Sequence, residues 1–244
     1  LALCTVLLQV VGLASSVAGA KTLKIAVIDT GFDFKSTWAD SSLPKPTLCK
    51  DGHKALVGSL NDNHGHGTHI AGLIAKELVG LDYCLIIIKY FDPIAKGDNV
   101  KNTLKSFLWA IRHDVDIINY SGGGVEQSKL ECQILGMAMK YNIKVVAAAG
   151  NERSDLIKQP YYPAMCDNRI IKVVNIDSKG VRHPSSNFTT KVIPNLITEL
   201  GVNVESLLPN NKTGTMTGTS QATATVTGKL ARRLLLSKVY KRTK

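Results

Sequence analysis

The chain has 244 residues, 44% of them hydrophobic and 20% charged, with 20 Gly and 8 Pro; that is globular composition and excludes a disordered, collagen-like or coiled-coil chain. A chain this long buries roughly 70–75% of its unfolded surface, so no disulfide framework is needed to build a core. The net charge of +11 at pH 7 bears on solubility and partners, not on fold.

Residues 1–20 carry no charge, run apolar through Leu7, Leu8, Val10, Val11 and Leu13, and end in Ala18-Gly19-Ala20 directly before Lys21. A small-x-small ending of this kind reads as a signal-peptide cleavage site, which predicts a secreted or periplasmic protein, with an uncleaved membrane anchor as the alternative. Residues 21–244 are then read as one domain. Without Cys4, an exported chain keeps Cys49, Cys84, Cys132 and Cys166. Their spacing fits no zinc knuckle or CxxC motif; three pairings are open to them, and so is the unpaired state.

Along the mature chain, short apolar runs at 23–28, 85–88, 115–120, 144–149 and 170–174 read as strands. Continuous apolar runs suit a parallel sheet buried on both faces. Between them, 69–81, with Ile70, Leu73, Ile74 and Leu78 at helical spacing, and likewise 103–111 and 130–139, read as helices. Alternation of strand and helix predicts an α/β fold with a doubly wound, mostly parallel sheet flanked by helices. Ligands bind such sheets at the carboxyl ends of the strands, where Asp29-Thr30-Gly31 and Gly150-Asn151 fall.

After Glu205 there is no acid, while Lys212, Lys229, Arg232, Arg233, Lys238, Lys241, Arg242 and Lys244 follow. They read as a solvated basic helix face and tail, with weak contact to an anionic surface as the secondary reading. Basic and aromatic residues do not interleave as in an RNA-binding surface, so no nucleic-acid partner is expected. The sequence leaves the oligomeric state open.

Three segments carry chemistry. Val27-Ile28-Asp29-Thr30-Gly31 puts an acid at a strand end, His64-Gly65-His66-Gly67-Thr68-His69 puts a histidine at a helix start, and Gly218-Thr219-Ser220-Gln221-Ala222-Thr223 does the same for a serine. A lone Gly-Thr-Ser is usually a turn or cap. Acid, histidine and serine together are what nucleophilic acyl transfer needs: the imidazole takes the hydroxyl proton, and the carboxylate orients the imidazole and stabilises its cation.

On these motifs the chain resembles the subtilisin-like serine peptidases (subtilases, peptidase family S8) over most of residues 23–236, in the order Asp…His…Ser that marks them. The resemblance implies a subtilisin-like three-layer sandwich and a serine endopeptidase acting on peptides or proteins. Asp29, His66 and Ser220 would be the catalytic residues. Asn151, in Ala147-Ala148-Ala149-Gly150-Asn151, would donate to the oxyanion, with the Ser220 N–H as second donor. Ser121, Gly122 and Gly123 would bind extended peptide. Gly122, standing where a larger residue is usual, would lower one wall of the cleft. Glu152 would lie at the mouth of the pocket for the residue preceding the scissile bond and favour a basic one there, with a solvated surface acid as the equal alternative. Tyr161, just before Tyr162-Pro163-Ala164, would shorten that pocket.

The sequence departs from the family pattern at Gln221 and Ala224, where Met and Pro are usual. The loop that carries a strong calcium site in many relatives is missing after His66, so neither calcium nor any other cofactor is assumed. With 24 residues after Ser220, the fold is expected to be shortened at its C-terminus. Two rival readings stand beside this one. His64, His66 and His69 have the spacing of a zinc hydrolase, with Asp62 close, although Thr68 stands where such a site wants Asp. A catalytically impaired, peptide-binding relative is the other rival.

Overall fold

A computed structural model describes residues 21–95 and 97–237; residues 1–20, read above as a signal peptide, and the basic residues from Lys238 onward lie outside them. Among the described residues nine strands and four helices follow one another. They are β1 (Leu23–Asp29), β2 (Lys54–Ala55), α1 (His66–Glu77), β3 (Tyr83–Lys89), α2 (Asn99–Arg112), β4 (Ile117–Tyr120), α3 (Lys129–Lys140), β5 (Lys144–Ala148), β6 (Ile171–Ile176), β7 (Leu196–Leu200), β8 (Val204–Leu208), β9 (Lys212–Met216) and α4 (Thr219–Leu236).

Seven strands form one sheet in the order β2-β3-β1-β4-β5-β6-β7, every pair parallel. The apolar runs are uninterrupted because each face has its own core. Leu23, Ile25 and Val27 of β1, with Leu85, Ile87 and Val146, pack against Ile70 and Ile74 of α1, Leu78 just beyond its end, and Ala222 and Val226 of α4. The alternate residues Ala26, Ile28, Ile86, Ile88 and Val145 pack against Phe107, Ala110, Ile134 and Leu135 of α2 and α3. Strand order reverses around β1, flanked by β3 on one side and β4 on the other. The switch point of the sheet therefore lies beside the end of β1, and Asp29 is the residue that ends it.

Helix bounds differ from the sequence reading in an instructive way. The first helix begins at His66, not at 69, and ends at Glu77, not at 81. No side chain caps it from the adjacent position, where Gly65 is left-handed at φ 91°. The cap comes from farther back, since Asp62 accepts from the N–H groups of Gly65 at 2.7 Å and Thr68 at 2.8 Å. The helix stops where Leu81 N–H returns to the Leu78 carbonyl around Gly80, at φ 75°.

Strands β7, β8 and β9 were not foreseen. β7 is an edge strand whose residues are largely exposed or half-buried, so it carries no apolar run to read. β8 and β9 form an antiparallel hairpin turned by Pro209-Asn210-Asn211, with both Asn at positive φ (62° and 59°). Asn tolerates that conformation better than most residues. The hairpin is tied to the turn after β1 by Asn211 Oδ1, which accepts from Thr37 and Trp38 N–H at 2.8 and 2.9 Å.

The cysteines, left open by the sequence, pair as Cys49–Cys84 and Cys132–Cys166 across separations of 35 and 34 residues. Loops of that length correspond to about 4 kcal/mol each in the chain-entropy account of cross-links. Among the described residues no helix is long and apolar enough to cross a membrane.

Candidate active site

Asp29 is buried at the end of β1, 3% exposed. Its Oδ1 accepts the Thr30 N–H at 2.8 Å and faces His66 Nδ1 at 2.7 Å. A carboxylate there makes Nδ1 the donor and leaves Nε2 free to accept a proton. Burial pulls the His66 pKa down; the charge and hydrogen bond of Asp29, and the more distant charge of Asp62, outweigh it and leave the pKa above the ordinary histidine value.

What holds these two residues in register is a hub that sequence reasoning passed over. Asp62 is buried and accepts from Thr30 Oγ1 at 2.8 Å and Thr68 Oγ1 at 2.7 Å as well as from the Gly65 and Thr68 N–H groups. Thr30 Oγ1 in turn accepts the Gly67 N–H at 2.9 Å. These bonds overcome the tendency of burial to protonate Asp62 and hold its pKa below the usual carboxylate range. The β1 turn and the start of α1 thus meet closely, and a β-carbon at Gly67 would overlap the Gly31 carbonyl. The available signal was an acid three residues before Gly65, the spacing of a side chain that caps from outside the helix.

Ser220 lies in the first turn of α4. Its hydroxyl donates to the Ser121 carbonyl at 2.9 Å, while Ser121 Oγ donates to the Ser220 carbonyl at 3.2 Å. Below them, Asn119 Nδ2 donates to Ser121 Oγ and Asn119 Oδ1 accepts from Thr227 Oγ1 at 2.8 Å, so β4 and α4 are pinned together. Asn151 accepts the Thr219 N–H through Oδ1 at 3.0 Å, which fixes the amide and leaves Nδ2 to serve another acceptor. Helices α1 and α4 lie against one another, with Gly228 close to Ile74 and Glu77 and Arg232 donating to the Glu77 carbonyl. That pairing sets their first turns, with His66 and Ser220, at the same edge of the sheet.

The turn that carries Asn151 is built by Asn187, also unforeseen. Its Oδ1 accepts from the Glu152 and Ser154 N–H groups, and its Nδ2 donates to the Ala149 carbonyl and to Glu152 Oε2, both at 2.8 Å. Glu152 is exposed, yet its carboxylate is engaged with this amide.

Two features of the cleft follow from glycines. At Gly122 the wall is not lowered as the sequence suggested: the Tyr90 hydroxyl occupies the place where a β-carbon would project. Between Gly123 and Gly150, at the ends of neighbouring strands, lies the ring of Tyr161, which a β-carbon on either glycine would overlap. Main-chain bonds between Gly124 and Tyr162, N–H to carbonyl at 2.9 and 2.7 Å, hold that ring in place.

The zinc reading does not survive. His69 is fully buried, its Nε2 donating to the Gly214 carbonyl at 3.2 Å and its Nδ1 without a partner. Among the described residues no three His, Cys, Asp or Glu side chains converge as a metal site would require. Burial, mainly, drives the His69 pKa down to about 4. The unfolded chain binds this proton from about pH 6.5 downward and the folded chain does not, so stability is complete at neutral pH and falls as pH drops from 6.5 towards 4. The full window amounts to about 3 kcal/mol. Urea midpoints of an inactivated variant at pH 7 and pH 4.5 are expected to differ more than those of its His69→Gln derivative; equal pH slopes would dismiss this account.

A family model described as the subtilase family, peptidase S8, matches residues 20–240. The chain is 30% identical over 220 residues to the major intracellular serine protease of Bacillus subtilis (strain 168), covering 86% of this chain and 68% of that protein. It is 31% identical over 229 residues to subtilisin amylosacchariticus of Bacillus subtilis subsp. amylosacchariticus, covering 88% of this chain and 56% of that one. The chain thus spans between about half and two thirds of the length of these two relatives. In fold it is similar to the protease domain of PatA, with a TM-score of 0.73 at 21% identity over 89% of this chain and 82% of that one. The epidermin leader peptide processing serine protease EpiP of Staphylococcus aureus gives a TM-score of 0.74 at 21% identity, covering 90% and 66%.

Proposed function

Because this chain belongs to the subtilase family of serine peptidases, we propose that it is an endopeptidase that cleaves peptide bonds through an acyl-enzyme, with Ser220 as nucleophile, His66 as base and then acid, and Asp29 as the orienting carboxylate. The observation that carries the reading is the buried Asp29 carboxylate 2.7 Å from His66 Nδ1, an arrangement that leaves Nε2 as the basic nitrogen.

Ser220 rests on the Ser121 carbonyl; rotation about its Cα–Cβ bond turns the hydroxyl towards the imidazole when substrate takes its place on the strand. The proton passes to His66 as Oγ attacks, and the carbonyl oxygen becomes an oxyanion. Asn151 Nδ2 and the Ser220 N–H serve it, the latter because the first N–H groups of a helix have no acceptor within it. His66 then returns the proton to the leaving amine, and a water deprotonated by the same imidazole releases the acyl group. Peptide lies along Ser121, Gly122 and Gly123 by adding a strand through main-chain bonds. Export is the accompanying proposal, supported by the Cys49–Cys84 and Cys132–Cys166 disulfides, which persist in oxidising compartments.

The test is covalent. A fluorophosphonate, digested off the purified protein as a labelled peptide, is expected on Ser220 and to be excluded by substrate; a label on another residue, or none, would end the proposal.

Tyr161 sets the side chain accepted before the scissile bond. With its ring between Gly123 and Gly150, only a small residue such as Gly or Ala has room there. Tyr161→Gly is expected to raise the ratio of kcat/KM for Phe over Ala at that position by roughly 10- to 100-fold, the scale of apolar pocket discrimination. An unchanged ratio in a folded, labelled variant would mean that the ring does not bound the pocket.

A further inference from the structure

Glu131 has no place in the chemistry above and is unusual for a helix glutamate. It stands three residues after Ser128, which caps α3 by accepting the Glu131 N–H at 3.2 Å. In a Ser-x-x-Glu capping box the glutamate carboxylate turns back to the N–H of the cap. Here only half of the box forms: among the described residues the Glu131 carboxylate is bonded to no donor. The residue is nonetheless only 9% exposed. It lines a cleft of about 520 Å³ together with Tyr90, Thr103, Tyr120, Gly124 and Tyr162.

Three properties of this cleft point to one kind of occupant. Its walls are aromatic, with the Tyr90 and Tyr120 rings 5.4 Å apart, and the Tyr120 hydroxyl is already engaged with Thr103 at 3.3 Å. Among the described residues no Lys or Arg lines it, and the other acid, Glu126, is exposed at its rim. Burial without a counter-charge pushes the Glu131 carboxyl up to about 7. A buried carboxylate is tolerated when a cation pairs with it, and aromatic faces receive both the methylene stem and the charged head of a basic side chain. The cleft adjoins the substrate strand, since Gly123 and Gly124 line it.

Resting on the peptide path proposed above, we infer that this cleft is a specificity pocket for a Lys or Arg side chain of the substrate, upstream of the scissile bond, whose cation pairs with Glu131.

A set of peptides sharing one cleavable bond tests it. Each carries a single Lys, or its uncharged near-isostere norleucine, at one of the second to fifth residues before that bond. The wild-type protein is expected to cleave the Lys peptide at least about tenfold better, in kcat/KM, at one position only. Glu131→Gln is expected to abolish that preference, so that the Lys peptide and its norleucine counterpart are cleaved at the same rate. Glu126→Gln, altering the rim acid, is expected to retain it. Fluorophosphonate labelling of each variant shows that it is folded. The inference is overturned if no position prefers Lys by more than about twofold, if the preference survives Glu131→Gln, or if it is lost in Glu126→Gln alone. Absence of both labelling and cleavage in the wild-type protein would instead defeat the peptidase reading on which the pocket rests.

Discussion

Ser220→Ala is expected to remove fluorophosphonate labelling and to lower peptide hydrolysis by about 10⁶-fold in kcat, the size found in subtilisin itself when the nucleophile is removed. The loss is this large because no other group in the site can form the acyl bond. What remains is the oxyanion donors and peptide binding, which by themselves give about 10³–10⁴ over water. Folding is expected to be untouched. The Ser220 hydroxyl makes one bond, to the Ser121 carbonyl, and the reciprocal bond from Ser121 Oγ to the Ser220 carbonyl does not need it. The two readouts are a far-UV spectrum and urea midpoint matching wild type, and a rate at the limit of detection. A variant that still hydrolyses peptides would remove Ser220 from the mechanism.

Asp29→Asn is expected to lower kcat by roughly 10⁴-fold, the effect of the same exchange in a serine peptidase triad. The variant also tests direction in the pH profile. In the wild-type protein only neutral His66 accepts the proton, so activity rises with pH through a midpoint above the ordinary histidine value of 6.5. Burial opposes protonation, and the Asp29 carboxylate is what more than offsets it. An amide in its place removes the charge, leaves burial acting against the cation, and moves the midpoint of the remaining activity to more acid pH. An acid limb with the same midpoint in both proteins would show that Asp29 does not govern the titration of His66. Measured together, the loss of rate and the acid shift separate an electrostatic role from a merely structural one, which would lower the rate without moving the midpoint.

Much of this molecule was legible because its signals are local. Runs such as 23–28 and 85–88 are apolar without interruption, and only a strand buried on both faces needs that. Asp29, His66, Asn151 and Ser220 sit in short motifs, and the family to which those motifs point is the one that the family model matches; the roles proposed for the four residues rest on that order. The elements that went unread lack such local patterns. β7 is mostly exposed and shows no periodic apolar residues, and β8–β9 is held by an Asn-Asn turn and by contacts to residues more than 170 positions away. The start of α1 was misplaced because its cap, Asp62, is not adjacent to it.

Residue types and their near neighbours were enough to read the fold class and the order of the Asp29, His66 and Ser220 motifs, since each depends on positions only a few residues apart. Long-range packing settled how the cysteines pair, that Asp62 and Asn187 brace the turns carrying Asp29 and Asn151, and that Tyr90 fills the space beside Gly122. It decided as well that Tyr161 lies between Gly123 and Gly150, and that Glu131 faces a cleft instead of closing its own capping box. Each of these is a question of which distant groups share one volume or one hydrogen bond. Close packing and the obligation to satisfy buried polar atoms answer it only once the sheet has brought the strand ends together.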